Sequence, residues 1–446
     1  MSSVCPHRLA LFRGRTSRPS GGLSCRSLCA HAVTTVGVAL FGRIAPSAGI
    51  WPASWKLLRS VCWSALVLLA VGCERSTPSE QPRGRVLIVY LALDNNLQVE
   101  YDARMSALRR SWRPGMELWV YADTPSGATL GRMEATPEGA TLRTVESYGA
   151  ENSASGATLE RVLRTVWERS PATGYGLLFF SHATGWLPEG GLQAPLVSRS
   201  IGLDQGSEMS LDAFVSAIPS GMTLDYVIFE ACLMAGAEVA LALAGHTDWV
   251  LASSAEVVEP GFRPLYADNL ALLTDGGHPV EEQLAAFGQR YMAYVRTLSG
   301  TGCSATLSLI RTSSMPALAE AVRRVTRGFA NEEGRDTPPA GLQHFDRPGA
   351  YGDRPAAARF YDLEAYVEAC LADPDAEAAF CGALADAVVW RDATERFLGG
   401  DGSPYKGFDI VRHCGLTLYV PRGEFPALNE TYRRTAWWHA TRGAIN

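Results

Sequence analysis

Four apolar runs constrain this chain more than any other feature. Val86–Leu93 (VLIVYLAL), Met116–Asp123 (MELWVYAD), Tyr175–Ser181 (YGLLFFS) and Leu224–Glu230 (LDYVIFE) are each seven or eight residues long and nearly free of charge. They are too short for buried helices and lack the alternation of a half-exposed strand. They therefore read as strands covered on both faces. Helical patterns separate them, one running through Arg110. Another is Ser155–Arg169, where Leu159, Val162, Leu163 and Val166 recur at helical spacing. A short helix near Leu211–Ile218 precedes the fourth run; a helix over Leu233–Ala244 and a fifth strand at Trp249–Ser253 follow it. Strands alternating with helices predict an α/β fold, a mostly parallel sheet flanked by helices. Residues 128–147 alternate as a hairpin does.

Beyond about Pro264 the pattern turns mainly helical, with helices expected over 279–298, 313–329, 360–372 and 376–391. Strand-like runs remain at 304–310 and 415–420. The expected division is an α/β domain over 86–263 and a mainly helical C-terminal subdomain over 264–446. Within the latter, residues 332–358 are rich in Gly, Pro, Asp and Arg and make a long loop, a kind of segment that is usually functional or disordered.

The first 85 residues read as targeting. Residues 61–72 (VCWSALVLLAVG) form a 12-residue apolar run behind Lys56 and Arg59. That length is short for a membrane-spanning helix and right for the core of a signal peptide. The run ends Leu69-Ala70-Val71-Gly72-Cys73, which resembles a bacterial lipobox, so Cys73 is the expected lipidation site and 56–73 the lipoprotein signal. Residues 74–85, polar with two prolines, would tether the anchor to the domain. Residues 1–55 carry no helical or strand period and fit an over-extended start or a long basic leader. The expected location is the bacterial cell envelope, on the membrane through the lipid. The leader up to Cys73 holds eight basic residues and no acid; the rest has 32 basic against 46 acidic residues, a net charge of −14. Such a body is a poor partner for nucleic acid.

The chemistry gathers at two strand ends. The third run leads into Ser181-His182-Ala183-Thr184-Gly185-Trp186, and the fourth into Glu230-Ala231-Cys232-Leu233-Met234. In a parallel sheet, catalytic groups collect where strands end and loops begin. A histidine and a cysteine on such ends would face each other across a cleft, as nucleophilic catalysis by a thiol requires. Backbone amides around Cys232 and Ala183 could stabilise an oxyanion. Their separation of 50 residues is the interval caspases show between catalytic histidine and cysteine. The five histidines His246, His278, His344, His413 and His439 have no partner at a comparable spacing. Cys370 and Cys381 sit in an expected helical hairpin and could bridge in an envelope compartment.

These segments resemble the clostripain family of cysteine peptidases, of the caspase-like clan. The resemblance starts at Val86–Leu97 (VLIVYLALDNNL). It continues through LLFFSHATGW and YVIFEACLMAGAEVA, then Glu259-Pro260-Gly261, and reaches Cys414–Pro421 and Ala436-Trp437-Trp438. It implies a caspase-like fold with His182 as general acid/base and Cys232 as nucleophile, no third triad member being required. The implied substrates are proteins or peptides cut after Arg or Lys. Two positions depart from the family's pattern. His-Gly is usual where this chain has His182-Ala183, and an alanine costs about 1 kcal/mol or more wherever a positive φ is needed. Asp is usual two residues before the cysteine, where Glu230 is expected to receive the basic P1 side chain. Calcium serves some relatives, but no clear oxygen-ligand loop is present and no cofactor is expected. The alternative reading is a catalytically inactive relative that binds peptides or partner proteins in the same cleft.

Overall fold

The structure is a computed structural model that describes residues 83–189, 200–329, 338–350, 355–399 and 404–442. Nine strands form one sheet: β1 (Arg83–Ala92), β2 (Glu117–Thr124), β3 (Gly127–Thr136), β4 (Gly139–Gly149), β5 (Ala172–Phe180), β6 (Leu224–Glu230), β7 (Thr247–Ala252), β8 (Thr306–Arg311) and β9 (Val388–Ala393). Their order is β9-β8-β7-β6-β5-β1-β2-β3-β4. The five central strands, β7 to β2, are parallel, and an antiparallel pair extends each flank.

Each central strand has two apolar sides because both faces of the sheet are covered. In β1, Val86, Ile88 and Tyr90 enter one core, while Leu87, Val89 and Leu91 enter the other. Helices α1 (Tyr101–Ser111), α2 (Gly156–Arg169), α3 (Ala237–Ala242), α4 (Tyr266–Thr274), α5 (Val280–Val295) and α6 (Met315–Val325) close the layers. Leu159, Val162, Leu163 and Val166 of α2 and Leu318, Val322 and Val325 of α6 cover the first face. Met105 and Leu108 of α1, Leu270 and Leu273 of α4, and Leu284 and Phe287 of α5 cover the second. Full burial of each such side chain stabilises by roughly 1.5–3 kcal/mol, so these faces hold the sheet between its layers.

After β1 the chain adds β2 on one side and β5 on the other. That reversal opens a crevice at the C-terminal ends of β1, β5 and β6, the usual place for a ligand in such sheets. Parallel register aligns those ends, Leu91 pairing with Phe180 and Phe180 with Glu230.

Four expectations change. The helix expected from Leu233 begins only at Ala237, because Leu233 has φ 62°, outside the right-handed helical region. The helix expected over 376–391 stops at Ala387, and Val388–Ala393 becomes the edge strand β9. Both β8 and β9 lie beyond residue 263, so the part read as a helical subdomain completes the main sheet. The Cys370–Cys381 disulfide is not made, Cys370 being a buried thiol. Cys73 and the signal-like run lie outside the described residues.

Candidate active site

Three strand ends deliver the side chains. Cys232 follows β6 by two residues, in a turn tied to the segment after β7: Leu233 N–H donates to Ala255 O (2.9 Å) and Ala235 N–H to Ser253 O (3.0 Å). The Cys232 sulfur accepts from Val257 N–H at 3.4 Å, a donor of the kind a thiolate uses. His182 follows β5 by two residues. Its carbonyl accepts from Gly202 N–H (2.9 Å), and Thr184 N–H donates to Ser200 O (2.8 Å). Ala183 bridges Ile201 between these bonds. Positive φ is found at six non-glycine residues among those described, and Ala183 is not one of them. Alanine therefore carries no backbone penalty there. Gly185 does need its glycine: φ is +65°, and an added Cβ would stand 2.7 Å from Leu233 O.

Asn96, after β1, is the residue that sequence reasoning passed over. Its Oδ1 lies 2.7 Å from His182 Nε2. Because Oδ1 only accepts, the proton of a neutral imidazole sits on Nε2, leaving Nδ1 as the basic nitrogen. The neighbouring Asn95 fixes the turn. It accepts from Leu97 N–H and donates to Ala92 O (3.1 Å) and Leu203 O (2.7 Å). The signal in the sequence is the Asp94-Asn95-Asn96-Leu97 turn, two adjacent amides directly after a strand end.

His182, Ala183, Glu230 and Cys232 all line one cavity of about 220 Å³, with Leu97, Phe180 and Val257 among its apolar walls. All four residues expected at the site are therefore brought together. Glu230 is buried, and its carboxylate is already engaged on three sides. Arg104 Nη1 lies 2.9 Å from Oε1, Phe262 N–H donates to the same oxygen at 2.7 Å, and Tyr266 Oη donates to Oε2. Burial opposes the Arg104 charge, but Glu230, Tyr266 and Glu100 outweigh it and raise the Arg104 pKa. Gly261 permits this packing, since φ is +61° and a Cβ would approach Glu230 Oε1 to 2.4 Å. Glu256, also on the wall, is held by Arg347 Nε at 2.9 Å and Nη2 at 2.6 Å. Arg347 comes from the long loop, whose middle portion is thus part of the site's support. His413 is elsewhere: buried against Ser254 Oγ (3.2 Å), its pKa is pushed down to about 3 by burial and then by Arg391. Among the described residues no group of three or more His, Cys, Asp or Glu is placed to hold a metal ion.

The family model of the clostripain family matches residues 89–347, which span the strand ends and the whole cavity. The chain belongs to the clostripain family. It is thereby a member of a cysteine peptidase family, with the caspase-like fold the sequence led us to expect. An inactive zymogen C11 protease from Parabacteroides distasonis is 24% identical, with TM-score 0.69 over 81% of this chain and 99% of that one. A secreted C11 cysteine protease from Bacteroides thetaiotaomicron, in complex with an irreversible peptide inhibitor, is 22% identical, with TM-score 0.68 over 80% and 99%. At these identities the likeness establishes the fold. A comparison with curated proteins finds no match.

Proposed function

We propose that this clostripain-family protein is an endopeptidase in which Cys232 is the nucleophile and His182 the acid and base. The observation that carries the reading is the shared cavity at the ends of two adjacent parallel strands in register. The Cys232 thiol passes its proton to His182, and the sulfur adds to the scissile carbonyl and displaces the amine, which takes that proton from His182. Water, deprotonated by His182, then attacks the thioester and releases the acid, and the thiolate leaves. Ala183 N–H, which has no acceptor among the described residues, is available to the oxyanion. Glu230 does not support a basic P1 preference in this reading, because its carboxylate is already held by Arg104. The protein would act at the cell envelope, tethered through a lipid on Cys73. Supporting this are the basic flank, apolar run and polar tether in order. Among the described residues no helix is long and apolar enough to cross a membrane.

The test is turnover of a mixed peptide library by wild type, Cys232→Ala, His182→Ala and the double variant. Each single substitution should abolish cleavage without unfolding the chain, and the double should cost no more than either, since the pair acts as a unit. Cleavage surviving in Cys232→Ala would place the chemistry elsewhere. A folded wild type with no turnover would favour the inactive, peptide-binding alternative. Cys73→Ser should move the protein from the detergent phase to the aqueous phase, and an unchanged partition would remove the lipid from the proposal.

A further inference from the structure

The cavity beside Cys232 has a floor whose charge is already balanced. Arg104 reaches it from α1 and is 1% exposed. Its guanidinium lies over the Phe180 ring, with Cζ 3.4 Å from the ring centroid, and bonds Glu230 and the Tyr266 hydroxyl (3.0 Å). With Phe262 N–H and Tyr266 also on Glu230, both carboxylate oxygens are taken. The other acids on the wall are met in the same way. Arg347 holds Glu256, and Arg263 lies 3.1 Å from Glu100. The fourth acid, Glu259, is mostly exposed and lies 3.9 Å from Arg263, away from the buried floor that Arg104 and Glu230 form.

We propose that Arg104 is the specificity-determining residue of the P1 pocket: its guanidinium occupies the position in which a substrate's cationic side chain would meet Glu230, so the pocket selects uncharged P1 side chains. The inference rests on the peptidase reading of this cavity. A substrate arginine or lysine entering the pocket gains no vacant carboxylate at the floor and meets a like charge held there by a buried ion pair. Leu97, Phe180 and Val257 offer apolar contact to an uncharged chain of similar length, such as methionine or leucine.

The experiment uses synthetic octapeptides identical except at P1, which is Arg, Lys, Met or Leu. Binding is measured on Cys232→Ala protein, and cleavage on protein with the cysteine intact. With Arg104 present, the Met and Leu peptides should bind at least ten-fold more tightly than the Arg and Lys peptides. Arg104→Met exposes the Glu230 carboxylate and should shift the Arg-to-Met binding ratio a hundred-fold or more toward Arg. Adding Glu230→Gln should erase that shift. Tightest binding of the Arg peptide with Arg104 in place overturns the proposal. So does an unchanged ratio in folded Arg104→Met protein, or no measurable binding of any peptide. If Arg104→Met does not fold, the ratio with Arg104 present decides alone. Preferential binding of Met and Leu peptides without any cleavage would leave this assignment standing and sink the peptidase reading instead.

Discussion

At the scale of the residue, Asn95 and Asn96 divide a task that one short turn performs. Asn95 spends its amide on the backbone of its own turn and of Leu203. That leaves Asn96 to meet His182 Nε2 at 2.7 Å. Under the proposed mechanism Asn96 is a positioning residue: it sets the tautomer and the ring's orientation rather than touching the substrate. Asn96→Ala should lower kcat by roughly 10- to 100-fold, the range expected when an orienting hydrogen bond worth about 1–3 kcal/mol is lost. KM should change little, because the pocket walls are untouched. A merely structural role would instead lower the unfolding midpoint and leave kcat per folded molecule unchanged. Stopped-flow kinetics beside urea unfolding separate the two. The pH profile of kcat should also shift in Asn96→Ala, since the imidazolium loses an acceptor.

Between elements, the contest of local propensity and packing is decided by packing. Gly288 lies within α5, where glycine is about 1 kcal/mol worse than alanine on propensity alone. Yet a Cβ there would stand 2.5 Å from the Trp390 ring of β9, with two more ring atoms at 2.7 and 3.2 Å. Overpacking of this kind costs about 1–3 kcal/mol. Gly288→Ala should therefore destabilise by up to about 2 kcal/mol net, read as a lowered urea midpoint. A raised midpoint would mean that Trp390 moves aside and that β9 packs loosely at the edge. The turn that carries Cys232 shows the same contest. Leu233 holds φ 62° at a cost of about 1–2 kcal/mol, while its side chain is buried in the core that α3 shares. Delaying the helix to Ala237 leaves Cys232 on the cavity wall rather than within a helix.

For the whole molecule, buried carboxyls set the response to pH. Burial raises the Glu238 pKa to about 7, against hydrogen bonds and the Arg442 charge that lower it, and burial followed by the Asp204 carboxyl raises that of Asp123 to about 7. Asp346 and Asp362 are raised in the same direction by burial. A carboxyl with a higher pKa in the folded chain than in the unfolded one costs nothing below its ordinary value. It weakens the fold as pH rises, because the unfolded chain ionises first. For Glu238 that penalty develops between about pH 4.5 and 7 and reaches roughly 3 kcal/mol. Glu320 opposes it from the surface: two arginine hydrogen bonds lower its pKa to about 2, a stabilisation lost only in acid. The folded chain should accordingly be most stable on the acid side of neutrality. The urea midpoint should fall from pH 5 to pH 8 in wild type, and the fall should be smaller in Glu238→Gln, the other buried carboxyls keeping the remainder. Parallel slopes for the two proteins would assign the pH response to other groups.

The apolar runs determined by themselves that a parallel sheet covered on both faces forms, because no other arrangement buries strands whose interiors are so uniformly apolar. They also place His182 and Cys232 after consecutive strands of the pattern, which usually lie side by side in a sheet. Spacing along the chain could not show what meets those ends from elsewhere. Asn96 lies 86 residues from His182, and Arg104 lies 126 residues from Glu230. Neither distance leaves a periodic trace. The sequence read Glu230 as a vacant carboxylate because it specifies charge but not the partner of that charge. Likewise Val388–Ala393 continued a helical pattern until the sheet offered an unfilled edge beside β8, whose backbone groups needed acceptors and donors. Strand position, and hence the placement of His182 and Cys232, was written locally. The pocket's charge was decided by the docking of α1 against the end of β6, which only the folded chain brings about.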